Sequence, residues 1–226
     1  MNSIKHNQYL IFSINEDYLN FLRQIDFRIS DPKKYESVLL EGRPYIGIIV
    51  EIENSYYYAP LSSKAKLKVD QNGKLIKINI TDVYLFRDGI ETLENSIGVI
   101  KMNNCVPIPK NHLNELTKVV NINDCKQSYR NLLMQQYEQL KTEKVIKDIN
   151  WKAEKFVLSY DKLRPSLQIL CVDNKFLNKH VIDTELYFKN TNERNKALSE
   201  IKTLFNSKYN ILKETVDKIK TKREKH

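Results

Sequence analysis

Tyr45-Ile46-Gly47-Ile48-Ile49-Val50-Glu51-Ile52-Glu53-Asn54-Ser55-Tyr56-Tyr57-Tyr58-Ala59-Pro60 opens with the strongest strand signal in the chain. The β-branched run over 45–52 reads as a strand, and Glu53-Asn54-Ser55 carries turn chemistry. Tyr56-Tyr57-Tyr58-Ala59 therefore returns as a second strand before Pro60. Upstream, Gln8-Tyr9-Leu10-Ile11-Phe12 predicts another strand. Residues 13–15 supply a cap for a helix in which Tyr18, Leu19, Leu22 and Ile25 share a face. Asp31-Pro32-Lys33-Lys34-Tyr35 reads as a polar connection. Downstream, strand-like runs fall at 74–80, 82–86 and 97–101, followed by the extended Val106-Pro107-Ile108-Pro109. Together they predict an α+β fold around a small, strongly bent antiparallel sheet or barrel.

Beyond about residue 120 the period becomes helical. Tyr129, Leu132, Leu133, Gln136, Tyr137 and Leu140 line one stripe, and a second helix over 148–163 is expected to stop against Arg164-Pro165. The last helix carries Leu198, Ile201, Phe205, Leu212, Val216 and Ile219 on a near-heptad stripe, which either packs on the parent domain or meets a partner helix. Without repeats or low-complexity linkers, the expected division is a main domain over 1–165 and a helical C-terminal extension over 166–226, packed on or appended to it.

A chain of 226 residues with 41% hydrophobic content can bury one large core. Its longest apolar runs fall short of a bilayer span and its first residues lack a signal-peptide core, so no membrane partner and a cytoplasmic location are expected. Cys105, Cys125 and Cys171 fit neither a disulfide framework nor a zinc-ligand spacing, and read as buried thiols. His6, His112, His180 and His226 are scattered without an HExxH motif, so neither metal nor other cofactor is expected. The formal charge of +9 points to a polyanionic partner. Part of that excess lies over 191–226, where ten Lys and Arg face five Asp and Glu.

Chemistry is concentrated in Ala59-Pro60-Leu61-Ser62-Ser63-Lys64-Ala65-Lys66-Leu67-Lys68, two hydroxyls and three ammonium groups after a strand. Hydroxyls can orient a ribose hydroxyl, and lysines can neutralise charge gathering on a phosphate. Taken alone, the same residues are also an ordinary strand exit. The neighbouring tyrosines offer stacking faces for unpaired bases or pack across the sheet, and Arg43 suits a phosphate oxygen or a surface ion pair. A non-catalytic, basic RNA-binding module is the alternative to an enzyme.

The order of these pieces resembles the ToxN/AbiQ family of type III toxin-antitoxin endoribonucleases. The resemblance is carried by Tyr18-Leu19-Asn20-Phe21-Leu22 with Asp26, Arg43-Pro44-Tyr45-Ile46-Gly47-Ile48, and Tyr58-Ala59-Pro60-Leu61-Ser62-Ser63. It continues in Ile97-Gly98-Val99-Ile100-Lys101-Met102-Asn103-Asn104, Val106-Pro107-Ile108-Pro109, and Tyr129-Arg130-Asn131-Leu132-Leu133 with Gln136.

This resemblance implies a Kid/MazF-like β-barrel decorated with helices that cuts single-stranded RNA without metal. The ribose 2′-hydroxyl would attack the adjacent phosphorus, leaving a 2′,3′-cyclic phosphate and a 5′-hydroxyl, so that DNA survives. It places the hydroxyl pair at Ser62 and Ser63, with Ser63 the catalytic candidate. Arg43 is the basic position before the Ile-Gly strand, and the family's two tyrosines fall at Tyr18 and, loosely, Tyr35; from the residues themselves, Tyr58 and Lys68 are further candidates for RNA contact. The family pattern Ser-Pro-Lys is replaced here by Ser63-Lys64-Ala65-Lys66, in which either Lys64 or Lys66 can supply the charge. The implied partners are messenger RNA of the cell or a phage as substrate, and a repeat-derived pseudoknot antitoxin RNA as inhibitor. Protein and RNA would close into a ring-like hetero-oligomer that serves in phage defence.

Overall fold

The computed structural model describes residues 10–30 and 45–223. Strands β2 (Ile46–Ile52) and β3 (Ser55–Ser62) form the expected hairpin, in register from Gly47 opposite Pro60 to Ile52 opposite Ser55. Glu53 and Asn54 turn it with φ of 49° and 62°, the two left-handed residues that match a two-residue loop to strand twist. β3 continues past Pro60, further than expected, because its outer edge changes partner beside the proline. There β8 (Val106–Ile108) pairs with residues 56–58, and β7 (Ser96–Lys101) with 61–62. Proline is tolerated at such a break in a ladder.

Strand β1 (Ile11–Ile14) pairs antiparallel with β2 and with β9 (Thr117–Val119), and β6 (Asp82–Phe86) pairs with β7. The order is β6-β7-β3-β2-β1-β9, with β8 off this path against β3. A separate pair, β4 (Leu67–Val69) and β5 (Leu75–Lys77), replaces the longer strand expected over 74–80. The α+β class and the antiparallel sheet are present. The expected barrel is not: among the described residues β6 and β9 are the two ends of the sheet and do not pair. Helices cover both faces, so the strands bury their side chains without the sheet closing on itself.

Alternation along the hairpin sends side chains to both covers. Ile48, Val50, Tyr57 and Ala59 enter a core shared with Leu133 and Leu140 of α3 (Gln127–Leu140) and Ile149 of α4 (Glu143–Ala153). Ile49 and Tyr58 enter the opposite core with Tyr18, Leu19, Leu22 and Ile25 of α1 (Glu16–Ile25). Burial on both faces explains the unbroken apolar run of β2. Helix α1 starts at the predicted place, where the Asn15 side chain accepts from the Tyr18 N–H at 2.9 Å. Gly47 leaves room for the Tyr58 ring: a Cβ there would come within 2.6 Å of it.

The helix expected over 148–163 begins earlier and ends at Ala153. It loosens into a wider turn (Glu154–Leu158) closed by Ser159 N–H to the Glu154 carbonyl. Pro165 then opens the short α5 (Pro165–Gln168), where its missing N–H has no helical partner to lose. Helix α7 (Thr191–Arg223) docks on the α1 side through Leu198, Ile201 and Phe205, whereas Ile219 is exposed. The three cysteines are buried free thiols. Among the described residues no helix is long and apolar enough to cross a membrane.

Candidate functional site

β3 delivers Ser62 and Ser63 from the buried sheet into solvent. Leu61 is the last buried residue, Ser62 is half-buried, and Ser63, Lys64, Lys66 and Lys68 are exposed. The Ser62 hydroxyl accepts from the Lys64 N–H at 3.2 Å, a local bond that bends the chain immediately after the strand. Downstream the chain alternates: Ala65 and Leu67 pack against Tyr84, Phe86 and Val99, while the lysines between them face water. The Lys66 main chain is tied down, since its carbonyl accepts from the Tyr84 hydroxyl at 3.1 Å and the Ile78 N–H at 3.3 Å. Exposed ammonium groups thus stand on a fixed backbone beside two hydroxyls, a combination able to bind phosphate and to stabilise charge on it.

The opposing strand approaches closely. Ser62 sits opposite Val99, and Gly98 lies so near that a Cβ there would come within 2.5 Å of the Ser62 carbonyl oxygen and of Gln136 Nε2. Gln136, read from the sequence as one member of an apolar helix stripe, is 1% exposed and donates to the Ile97 carbonyl at 2.6 Å. Its signal in the sequence was a lone amide among apolar stripe positions.

Two of the expected RNA-contacting rings are internal. Tyr18 is 0% exposed and its hydroxyl donates to the Pro107 carbonyl at 2.8 Å, while its ring meets Tyr187 edge-on. Tyr58 is likewise closed off beneath Gly47, its ring tilted against Tyr45. A ring with no free face cannot stack a base, so both are corrected to core residues; burial raises the pKa of both phenols well above the ordinary value. Arg43 and Tyr35 lie outside the described residues. Ser62, Ser63, Lys64, Lys66 and Lys68 follow one another along the stretch that leaves the sheet at the end of β3.

A second polar cluster was not foreseen. Arg28 reaches Asp26 through Nε at 2.8 Å and Nη2 at 2.6 Å, and donates through Nη1 to the Gln168 carbonyl at 2.8 Å and the Tyr160 hydroxyl at 3.2 Å. Its guanidinium also lies 5.3 Å and 5.5 Å from the ring centres of Phe205 and Tyr209 on α7. Burial pushes the Tyr160 phenol up to about 12, although the Arg28 charge works against the rise. Every named donor here has an acceptor, so the cluster reads as a joint between elements.

Known proteins resemble this architecture. The family model described as toxin ToxN of type III toxin-antitoxin systems matches residues 10–186. An endoribonuclease ToxN of Bacillus thuringiensis subsp. kurstaki is 28% identical over 146 residues, covering 61% of this chain and 66% of that protein. An endoribonuclease ToxN of Pectobacterium atrosepticum is 25% identical over 97 residues, covering 43% and 52%. The match thus spans between about half and two thirds of these curated relatives. A solved structure from work on selective toxin inhibition by a non-coding RNA pseudoknot in type III systems has a TM-score of 0.57 at 23% identity, covering 78% of this chain and 97% of its own. Another, from work on a processed non-coding RNA that regulates a bacterial antiviral system, has a TM-score of 0.50 at 19% identity, covering 69% and 89%. At these identities the structural likeness is one of fold.

Proposed function

The chain belongs to the family of ToxN toxins of type III toxin-antitoxin systems, and from that premise we propose that it is a metal-independent endoribonuclease acting on single-stranded RNA. The observation that carries this reading is the bend at the end of a buried strand, where the half-buried Ser62 leads into the exposed Ser63 and Lys64. In the proposed reaction the ribose 2′-oxygen attacks the adjacent phosphorus as its proton passes to solvent, and the bond from phosphorus to the 5′-oxygen breaks. The 5′-oxygen leaves with a proton from a lysine ammonium group, giving a 2′,3′-cyclic phosphate and a 5′-hydroxyl. Ser63 orients the attacking hydroxyl with Ser62 beside it, Lys64 or Lys66 neutralises the pentacovalent phosphate, and Arg43 and Lys68 hold neighbouring phosphates.

In this reading residues 1–165 carry the cutting and 166–226 are a helical extension packed on them. The inhibitor is a folded antitoxin RNA of pseudoknot repeats whose phosphates occupy the same lysines, in a ring-like protein–RNA assembly serving phage defence. Both solved structures of similar fold come from work on regulatory non-coding RNA, which supports this partner. The test is cleavage of single-stranded RNA by the purified chain in excess EDTA. Wild type is expected to cut, and Ser63→Ala to cut at least ~100-fold more slowly with an unchanged melting temperature. RNA binding without cutting by the wild type would instead make the chain a non-catalytic binder.

A further inference from the structure

The register of β6 and β7 slips by one residue: Leu85 faces Gly98 while Phe86 faces Ser96, so Ile97 is left without a partner across the ladder. Such a bulge frees a main-chain carbonyl and bends the strand locally. Here the freed Ile97 carbonyl is taken by Gln136 Nε2 at 2.6 Å, an amide reaching in from α3. The next residue, Gly98, lies so near the Ser62 main chain that a Cβ there would come within 2.5 Å of its carbonyl oxygen, and the one after, Val99, is the ladder partner of Ser62. One residue therefore separates the carbonyl that Gln136 holds from the main chain that carries the proposed cutting hydroxyls.

We infer that Gln136 is a positioning residue for RNA cutting, which acts by holding the Ile97 bulge and so setting where β7 places the Ser62-Ser63 bend. This rests on the endoribonuclease reading above. The amide itself lies buried and touches no substrate, so its effect should fall on the chemical step more than on binding. A displacement of about 1 Å at a reacting group is enough to cost ~100-fold in rate. An apolar side chain of the same length would leave the carbonyl unsatisfied and let the bulge relax.

The test is steady-state cleavage by the full chain, with Gln136→Met beside wild type and Ser63→Ala, well below every melting temperature. Leu140→Val is the control: it thins the core from the same helix and leaves the Gln136 amide in place. Gln136→Met is expected to lower kcat by ~10- to 100-fold with KM within about threefold of wild type, and Leu140→Val at matched melting temperature to leave kcat unchanged. Equal kcat in Gln136→Met and wild type overturns the inference, as does a loss confined to KM or one shared by Leu140→Val. Should Gln136→Met not fold, Gln136→Asn decides by the same split, since its shorter amide does not reach the carbonyl. Failure of Gln136 variants to slow a wild type that cuts sinks only this inference; a wild type that does not cut RNA removes the endoribonuclease reading and this inference with it.

Discussion

Tyr18 and Ser63 carry hydroxyls put to opposite uses, one bonded inside the core and one presented to solvent. Tyr18→Phe removes the donor to the Pro107 carbonyl, leaves a buried acceptor unmet, and is expected to lower stability by about 1 kcal/mol without changing RNA affinity or cutting. Urea unfolding beside an RNA titration checks this; weakened RNA binding at unchanged stability would return Tyr18 to the RNA surface. Lys64 and Lys66 are to be separated in the same way. Alanine at the lysine that meets the reacting phosphate should lower kcat ~100-fold, and alanine at the other should mainly raise KM. Both variants affecting KM alone would contradict a lysine role in the chemical step. The exposure of Ser63 and the lysines was legible because a polar run follows an apolar strand there, although the run alone is also an ordinary strand exit. The tyrosines were not, because a phenol that packs and a phenol that stacks a base are the same letter until the sheet's two faces are known.

At the scale of elements, α7 is joined to the body by Lys208, whose ammonium lies 2.5 Å from Asp173 Oδ2. Asp173 is almost fully buried; its other oxygen caps α6 (Asn174–Leu177) through the Phe176 N–H, and its own N–H donates to Asp26. Lys208→Met strands that carboxylate and is expected to cost about 1–2 kcal/mol, less than a fully buried pair because Lys208 is half exposed. Hydrogen exchange should rise along α7 while RNA cutting is unchanged, and unaltered exchange would contradict the joint. His180, its ring tilted against Phe176, adds a pH dependence. Burial, followed by the Lys179 and Lys208 charges, holds its imidazole below 6.5, so the folded state binds this proton more weakly than the unfolded chain. Stability is therefore lost as pH falls through 6.5, and His180→Phe should flatten that decline in melting temperature. The β2–β3 hairpin and α1 were readable from turn and cap residues at the expected places. The Arg28 joint was not, since its partners Asp26, Tyr160 and Gln168 are brought together only by the fold.

At the scale of the whole molecule, the sequence pattern supplied strands enough for a barrel, but not the knowledge that helices from both halves would cover both faces and leave the sheet open. Strand alternation reports which residues are buried, and it is silent on what buries them. The net charge of +9 becomes a measurable property once RNA is the partner. Lys66→Ala and Lys68→Ala should each reduce the slope of log affinity against log salt by about 0.7 for a single strand, and unchanged slopes would remove these lysines from the RNA path. The central claim is that the exposed hydroxyl-and-lysine bend makes the RNA's own sugar the attacking group. It is tested most directly by giving the purified chain, in excess EDTA, an RNA it cuts once and the same RNA with a single 2′-deoxyribose immediately 5′ of the broken bond. The account predicts that the first yields a 2′,3′-cyclic phosphate by mass spectrometry and that the second is left whole. Cutting of the deoxy-substituted bond would contradict it.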